Sequence, residues 1–154
     1  MSKKSAGILL YRYKNSVAEV FLVHMGGPFW QKKDKASWSI PKGEFESPEL
    51  PLDAAIREML EETGLKVEGD FTELKPVKQK SGKTIYAFAI NQDFDPDSLK
   101  SNMFNLEWPP KSGKISAFAE IDKACWFDRN AALDKILPGQ APILEELFQK
   151  LMPN

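Results

Sequence analysis

Glu58, Glu61 and Glu62 stand at i, i+3 and i+4, so on a helix their carboxylates crowd one patch. Like charges at these spacings cost an isolated helix a few tenths of a kcal/mol per pair. They also fall in the C-terminal half of the helical pattern, where the helix dipole disfavours anions. Arg57 offsets part of this through Glu61, four residues on. A hard divalent cation offsets far more, because Mg²⁺ takes oxygen ligands from carboxylates and from substrate phosphates. For a cluster taken alone, the plain alternative is a solvated acidic helix face.

The residues around the cluster shift the weight towards the cation. Gly43, five residues, Glu49, seven residues, then Arg57-Glu58-Met59-Leu60-Glu61-Glu62-Thr63-Gly64-Leu65 resembles the Nudix box. That motif is Gly-x5-Glu-x7-Arg-Glu-U-x-Glu-Glu-x-Gly-U, with U aliphatic; every fixed position agrees, and Met59 and Leu65 satisfy U. At ordinary residue usage, seven fixed positions match by chance at roughly one start site in 10⁸ to 10⁹.

The resemblance implies an α/β fold, a Nudix-type α/β/α sandwich with a mixed β-sheet. It implies hydrolysis of a phosphoanhydride in a nucleoside diphosphate linked to another group. Mg²⁺, with Mn²⁺ as a substitute, would be held by Gly43, Glu58, Glu61 and Glu62. Bound there, the metal would neutralise the pyrophosphate and lower the pKa of a bound water. Arg57 would orient the carboxylates and pair with Glu49. The general base stays open between Glu58 and Glu62 on the helix and Glu120 outside it, with Glu107 behind. The stretch from Ser101 through Glu107-Trp108-Pro109-Pro110, with Glu120-Ile121-Asp122 and Trp126-Phe127, is similar to a bacterial Nudix subgroup of predicted NTP pyrophosphohydrolases. The C-terminal helices also suit dinucleoside polyphosphate hydrolases. Substrate candidates are an NTP, canonical or oxidised, a dinucleoside polyphosphate, and a nucleotide sugar or ADP-ribose. Two other readings stand beside these: a non-catalytic domain that senses a nucleotide, and a structural module using its acidic helix for a protein partner.

The elements that must position these residues follow from pattern. Pro51 suits a first helical turn, Leu52, Ala55, Ile56, Met59 and Thr63 form an apolar stripe, and Gly64 stops the helix. Before it, Ser5 to Tyr13 and Glu19 to His24 read as a hairpin about Lys14-Asn15-Ser16. His24, the only histidine, is either a base or phosphate partner at a strand end or a residue closing that strand by ordinary hydrogen bonds. Met25 to Ser37 reads as a loop in which Trp30 could stack on a base while Lys32, Lys33 or Lys35 meets a phosphate; an exposed basic loop is the equal alternative. Trp38-Ser39-Ile40 is a short strand ending at Pro41, and Lys42 stands beside the box as a phosphate contact.

Beyond the helix, Phe71 to Gln79 and Thr84 to Asn91 read as strands joined by the turn Lys80-Ser81-Gly82-Lys83. Lys83, with Lys78 and Lys80, is a phosphate candidate. Gln92 to Lys100 reads as a loop. Trp108 is either a stacking platform or a core or edge tryptophan. Lys123 to Phe127 reads as a strand, Asp128 as the cap of a helix to about Ile136, and Pro142 to Leu151 as an amphipathic helix with Ile143, Leu144, Leu147 and Leu151 inward.

At 154 residues, with 42% hydrophobic and 28% charged residues, the chain is long enough for one domain, 1–154, with a self-sufficient core. A net charge of −1 gives no pull towards a nucleic-acid polymer or an acidic membrane, so the expected partner is a nucleotide-sized molecule. The N-terminal Met1-Ser2-Lys3-Lys4 gives no expectation of a signal peptide, and no run approaches a transmembrane span. One cysteine permits no internal disulfide, which fits a reducing cytoplasm. Cys125, in the apolar run Ala124 to Phe127, is expected to be a buried, inert thiol. Nothing in the pattern indicates an oligomeric state.

Overall fold

The structure, a computed structural model, describes residues 3–152. Met1 and Ser2 of the N-terminal run lie outside the described residues. Strands β1 (Lys4–Lys14) and β2 (Val17–Met25) form the expected hairpin. Its two turn residues, Asn15 and Ser16, both have positive φ, 51° and 68°, the turn geometry that matches the twist of a tight hairpin.

The remaining strands are β3 (Trp38–Ser39), β4 (Lys42–Phe45), β5 (Thr72–Glu73), β6 (Val77–Lys78), β7 (Thr84–Asn91), β8 (Met103–Glu107), β9 (Ile115–Ala119) and β10 (Ile121–Asp128). The helices are α1 (Pro51–Thr63), α2 (Arg129–Lys135) and α3 (Ala141–Leu151). The large sheet runs β10-β2-β1-β7-β5, with β3 on β2, β4 on β1 and β6 on β7. It is mixed, because β1 and β7 run parallel from Lys4↔Thr84 to Tyr11↔Asn91 while the other pairs are antiparallel. Halfway along, β1 changes its second partner: Lys4–Gly7 pair with β4, and Tyr11–Lys14 with β2. Gly43, the first residue of the motif, sits on the β4 side of this split.

The period-2 alternation of the central strands builds three layers. Ala6, Ile8, Leu10, Phe21 and Val23 pack with Ala54, Ala55 and Met59 of α1. Leu9, Val20 and Leu22 turn to the opposite face, where Ala132 of α2 and Ile143, Leu144 and Leu147 of α3 cover them. The expected sandwich is therefore present. Asp128 caps α2, its side chain accepting from the Ala131 N–H at 2.9 Å. No helix among the described residues is long and apolar enough to cross a membrane.

Several expectations need correction. Lys42–Phe45, given no element from sequence, is a strand; its four residues carry little pattern, and pairing with β1 creates it. The expected strand from Phe71 to Gln79 is two short pieces separated by Leu74-Lys75-Pro76, and Pro76 has no N–H for a ladder. The stretch from Asn102 to Gly113, given no element, supplies β8, which pairs with β9 as a separate two-stranded sheet. Cys125 is exposed: β10 lies at the sheet edge, and alternation turns Trp126 inward and the thiol outward.

Candidate active site

Helix α1 buries Ala54, Ala55, Met59 and Thr63 against the sheet, with Leu52 and Ile56 packed at the margin. That seating rolls Glu58 towards β4 and leaves Glu61 at the outer edge: the Glu58 side chain is 12% exposed and that of Glu61 is 41% exposed. A Cβ added at Gly43 would overlap the Glu58 carboxylate, so glycine there lets the β4 backbone meet the acid group directly. One residue earlier, the Lys42 backbone N–H donates to Glu62 Oε1 at 3.2 Å. Arg57 ties the patch together. Its Nε and Nη2 each donate to Glu49 at 2.9 Å, and its Nη1 donates to Glu58 Oε1 at 2.8 Å and reaches both Glu61 oxygens at 3.3–3.4 Å.

The C-terminal end of α1 has no basic residue in its last turn. Backbone from a later segment satisfies its carbonyls instead: Lys100 N–H donates to Thr63 O at 2.9 Å and Asn102 N–H to Glu61 O at 3.2 Å. The same segment continues the chain of bonds. Glu120 N–H donates to Asn102 O, and Gly26 N–H donates to Glu120 O, both at 2.8 Å. This relay fixes Glu120, between β9 and β10, beside the end of α1. A cavity of about 290 Å³ results, lined by Glu62, Glu120, Lys42, Trp30 and Phe104 among others.

Burial pushes the Glu62 carboxyl up to about 8, with the charges of Glu58 and Glu120 adding to the shift and Lys42 opposing it. Burial also raises Glu58, against the pull of its Arg57 hydrogen bond. Burial lowers the Lys42 ammonium, and the nearby charge of Lys83 lowers it further. Carboxylates are thus held half-desolvated against one another, and the surrounding donors are all oxygen. That donor chemistry, with the Gly43 backbone against Glu58, fits a hard cation. Among the described residues no three such side chains already converge on one point, since Arg57 engages Glu61 and one oxygen of Glu58.

A family profile described as NUDIX domain matches residues 1–147. The chain belongs to the NUDIX domain family. An RNA pyrophosphohydrolase of Francisella philomiragia subsp. philomiragia is 42% identical over 55 residues, 35% of this chain and 36% of that protein. An octanoyltransferase of Myxococcus xanthus is 31% identical over 99 residues, 64% of this chain and 25% of that protein. The match therefore spans only about a quarter to a third of the length of these curated relatives. Among solved structures, a C. elegans Ap4A hydrolase binary complex superposes with a TM-score of 0.64 at 20% identity, covering 97% of each chain. The NUDIX domain of Shewanella oneidensis NrtR, complexed with ADP ribose, superposes with a TM-score of 0.66 at 14% identity, covering 99% of this chain and 90% of that one. At these identities the structures show the shared Nudix fold.

Within this Nudix scaffold the residues singled out from sequence divide. Lys42, Trp30, Glu62 and Glu120 line one cavity. Lys83 stands beside it, its Nζ 3.3 Å from Glu44 on β4. Lys32 is exposed on the loop and is not among the lining residues, whereas Lys33 lies over the Trp30 ring at 5.0 Å. Trp108 is not in the lining; its ring meets that of Phe29 edge-on at 5.3 Å. Glu107 accepts from the Lys111 and Gly113 N–H groups and so closes the β8–β9 turn. His24 is fully buried, with both ring nitrogens engaged. Phe104 and Ser39 line the cavity without having been anticipated. The alternation of Phe104 and Leu106 was the available signal for β8, obscured by the adjoining Pro109-Pro110.

Proposed function

We propose that this chain is a Mg²⁺-dependent nucleotide pyrophosphohydrolase. It cleaves a phosphoanhydride in a nucleoside diphosphate linked to another group, an NTP or a dinucleoside polyphosphate. The observation that carries the reading is the meeting of Glu62, Glu120 and Lys42 in one cavity, with Glu58 and Gly43 adjoining.

Glu58 and Glu62, with the Gly43 carbonyl, are the residues that would hold the cation, and Glu61 would join them if released from Arg57. Bound there, the metal supplies neutralisation of the diphosphate and Lewis-acid polarisation of a phosphoryl oxygen. The Lys42 ammonium meets a non-bridging phosphate oxygen. Glu120 accepts the proton of the attacking water at a carboxylate oxygen. The new O–P bond forms as the anhydride P–O bond breaks, and the leaving group departs as a phosphate. Arg57 keeps Glu58 in register through its double bond to Glu49. Trp30 and Phe104 line the cavity and are the aromatic side chains that a base would meet there. A reducing cytoplasm suits a chain whose one thiol, Cys125, is exposed.

A nucleotide sensor is the second reading, favoured by the likeness to the NrtR domain complexed with ADP ribose. The test is a product-resolved screen of NTPs, 8-oxo-dGTP, diadenosine tetraphosphate and ADP-ribose, with and without Mg²⁺. Mg²⁺-dependent release of phosphate or a nucleotide supports the enzyme. Tight binding with no product supports the sensor. Thermal unfolding with and without Mg²⁺ separates both from an acidic docking module, because only a metal site raises the unfolding temperature by mass action.

A further inference from the structure

His24 ends the buried stretch of β2, and its side chain is 0% exposed. Nδ1 lies 2.8 Å from Asp122 Oδ1, and Nε2 lies 2.6 Å from the backbone oxygen of Lys33. A peptide carbonyl has no proton to give, so Nε2 must be the donor there. The ring thus bridges two segments, the loop through Lys33 and β10 through Asp122.

From this geometry we infer that His24 acts as a positioning residue, stapling the Trp30 wall of the cavity to β10 through one contact from each ring nitrogen. Asp122, its partner on β10, stands two residues from Glu120. The staple joins three pieces. The loop 25–37 is gripped at Lys33, whose own N–H reaches back to Trp30 O at 2.9 Å. β10 is gripped at Asp122, beside the lining residues Glu120 and Ile121. β2 runs on from His24 into Met25 and Gly26, which also line the cavity.

Other charges face the ring from each neighbouring element. Lys123 pairs with His24 across β10, and its ammonium lies 5.6 Å from the Trp38 ring, which itself meets the imidazole edge-on at 5.1 Å. In the loop, Lys33 turns its ammonium onto Trp30, and Asp34 takes the Trp38 indole N–H at 3.1 Å and the ammonium of Lys135 from α2. Asp122 is the anion in contact with the ring.

The chain has a single histidine, so nitrogen NMR of the untagged, ¹⁵N-histidine-labelled protein reads this ring without assignment. Both ring nitrogens should read as hydrogen-bonded and shielded from solvent; a solvent-exposed ring overturns the inference. His24→Gln keeps a donor for only one acceptor. The backbone N–H groups of Trp30 and Lys33 should then exchange faster with solvent, and KM for ATP and for diadenosine tetraphosphate should rise roughly tenfold, with kcat changing much less. Asp122→Asn preserves shape but weakens the β10 end of the staple: exchange at Trp30 and Lys33 should quicken and KM should rise in the same direction. Unchanged loop exchange in both variants overturns the positioning role. The kinetic arm rests on the hydrolase reading. Should the wild type turn over neither probe, that reading fails, while the NMR and exchange arms still decide this one.

Discussion

Arg57 holds Glu49 with two hydrogen bonds of 2.9 Å, one from Nε and one from Nη2, while its Nη1 reaches Glu58 and Glu61. The pair spans the loop before α1 and the middle of the helix, so it fixes where Glu58 stands relative to Gly43. A lysine supplies the charge without the planar fork. Arg57→Lys should lower kcat by roughly 10- to 100-fold, the usual cost of losing a partner that orients a metal ligand. Stability should fall by no more than about 1 kcal/mol, because the pair is part-exposed and screened. Steady-state kinetics beside chemical denaturation check this; a large loss of stability with intact kcat would show a scaffold role only.

Glu62 makes metal-free stability depend on pH. Its carboxyl is raised to about 8 in the folded protein, against an ordinary value of 4.5. Between those values the folded chain keeps a proton that the unfolded chain has released, so stability falls as pH rises from about 4.5 to about 8 and levels above that. Glu58, also raised by burial, adds a slope of the same sign. Thermal unfolding in chelator from mildly acidic to mildly alkaline pH should show the decline. Mg²⁺ should reduce it by binding the ionised form, and Glu62→Gln should remove most of it while cutting turnover by orders of magnitude. A flat or rising profile in the wild type would contradict the buried carboxyl.

Gly43→Ala tests the close approach of strand and helix. The backbone at residue 43 is not in the left-handed region, so alanine is conformationally acceptable. Its Cβ nevertheless claims the space of the Glu58 carboxylate. The variant should fold, because a side-chain end can swing aside. It should lose at least about tenfold in turnover, since a displaced reacting geometry is costly, and its unfolding temperature should respond less to Mg²⁺. Wild-type kinetics would remove Gly43 from the site.

Glu120 and Glu107 separate cleanly by substitution. Glu107 is committed to the N–H groups of Lys111 and Gly113, whereas Glu120 faces the cavity. Glu120→Gln should lower kcat by about 10²- to 10⁴-fold, the range for losing a general base. Glu107→Gln should keep kcat and slightly destabilise the β8–β9 hairpin. The reverse ranking would move the base to the hairpin.

The spacing of Gly43, Glu49, Arg57, Glu58, Glu61 and Glu62 determined the family, and with it the sandwich fold and the expectation of diphosphate chemistry. These residues lie within 20 positions of one another, on one short strand, the loop after it and one helix, and on the helix local periodicity fixes who neighbours whom. Strand alternation likewise determined the β1–β2 hairpin and β7, and helical periodicity the inward face of α3. Only the tertiary structure decided the rest. β4 exists because β1 changes partners, and Glu120 is held beside the end of α1 by bonds through Asn102 to the Glu61 carbonyl, with Gly26 on its other side, residues far apart in the chain. Glu61 is left more exposed than Glu58 by how α1 seats on the sheet, a matter of packing rather than spacing. The exposure of Cys125 and the turn-closing role of Glu107 depend on edges and pairings that a run of residue types does not encode. Spacing specifies contacts within one element, whereas contacts between elements depend on which surfaces the whole chain must bury together.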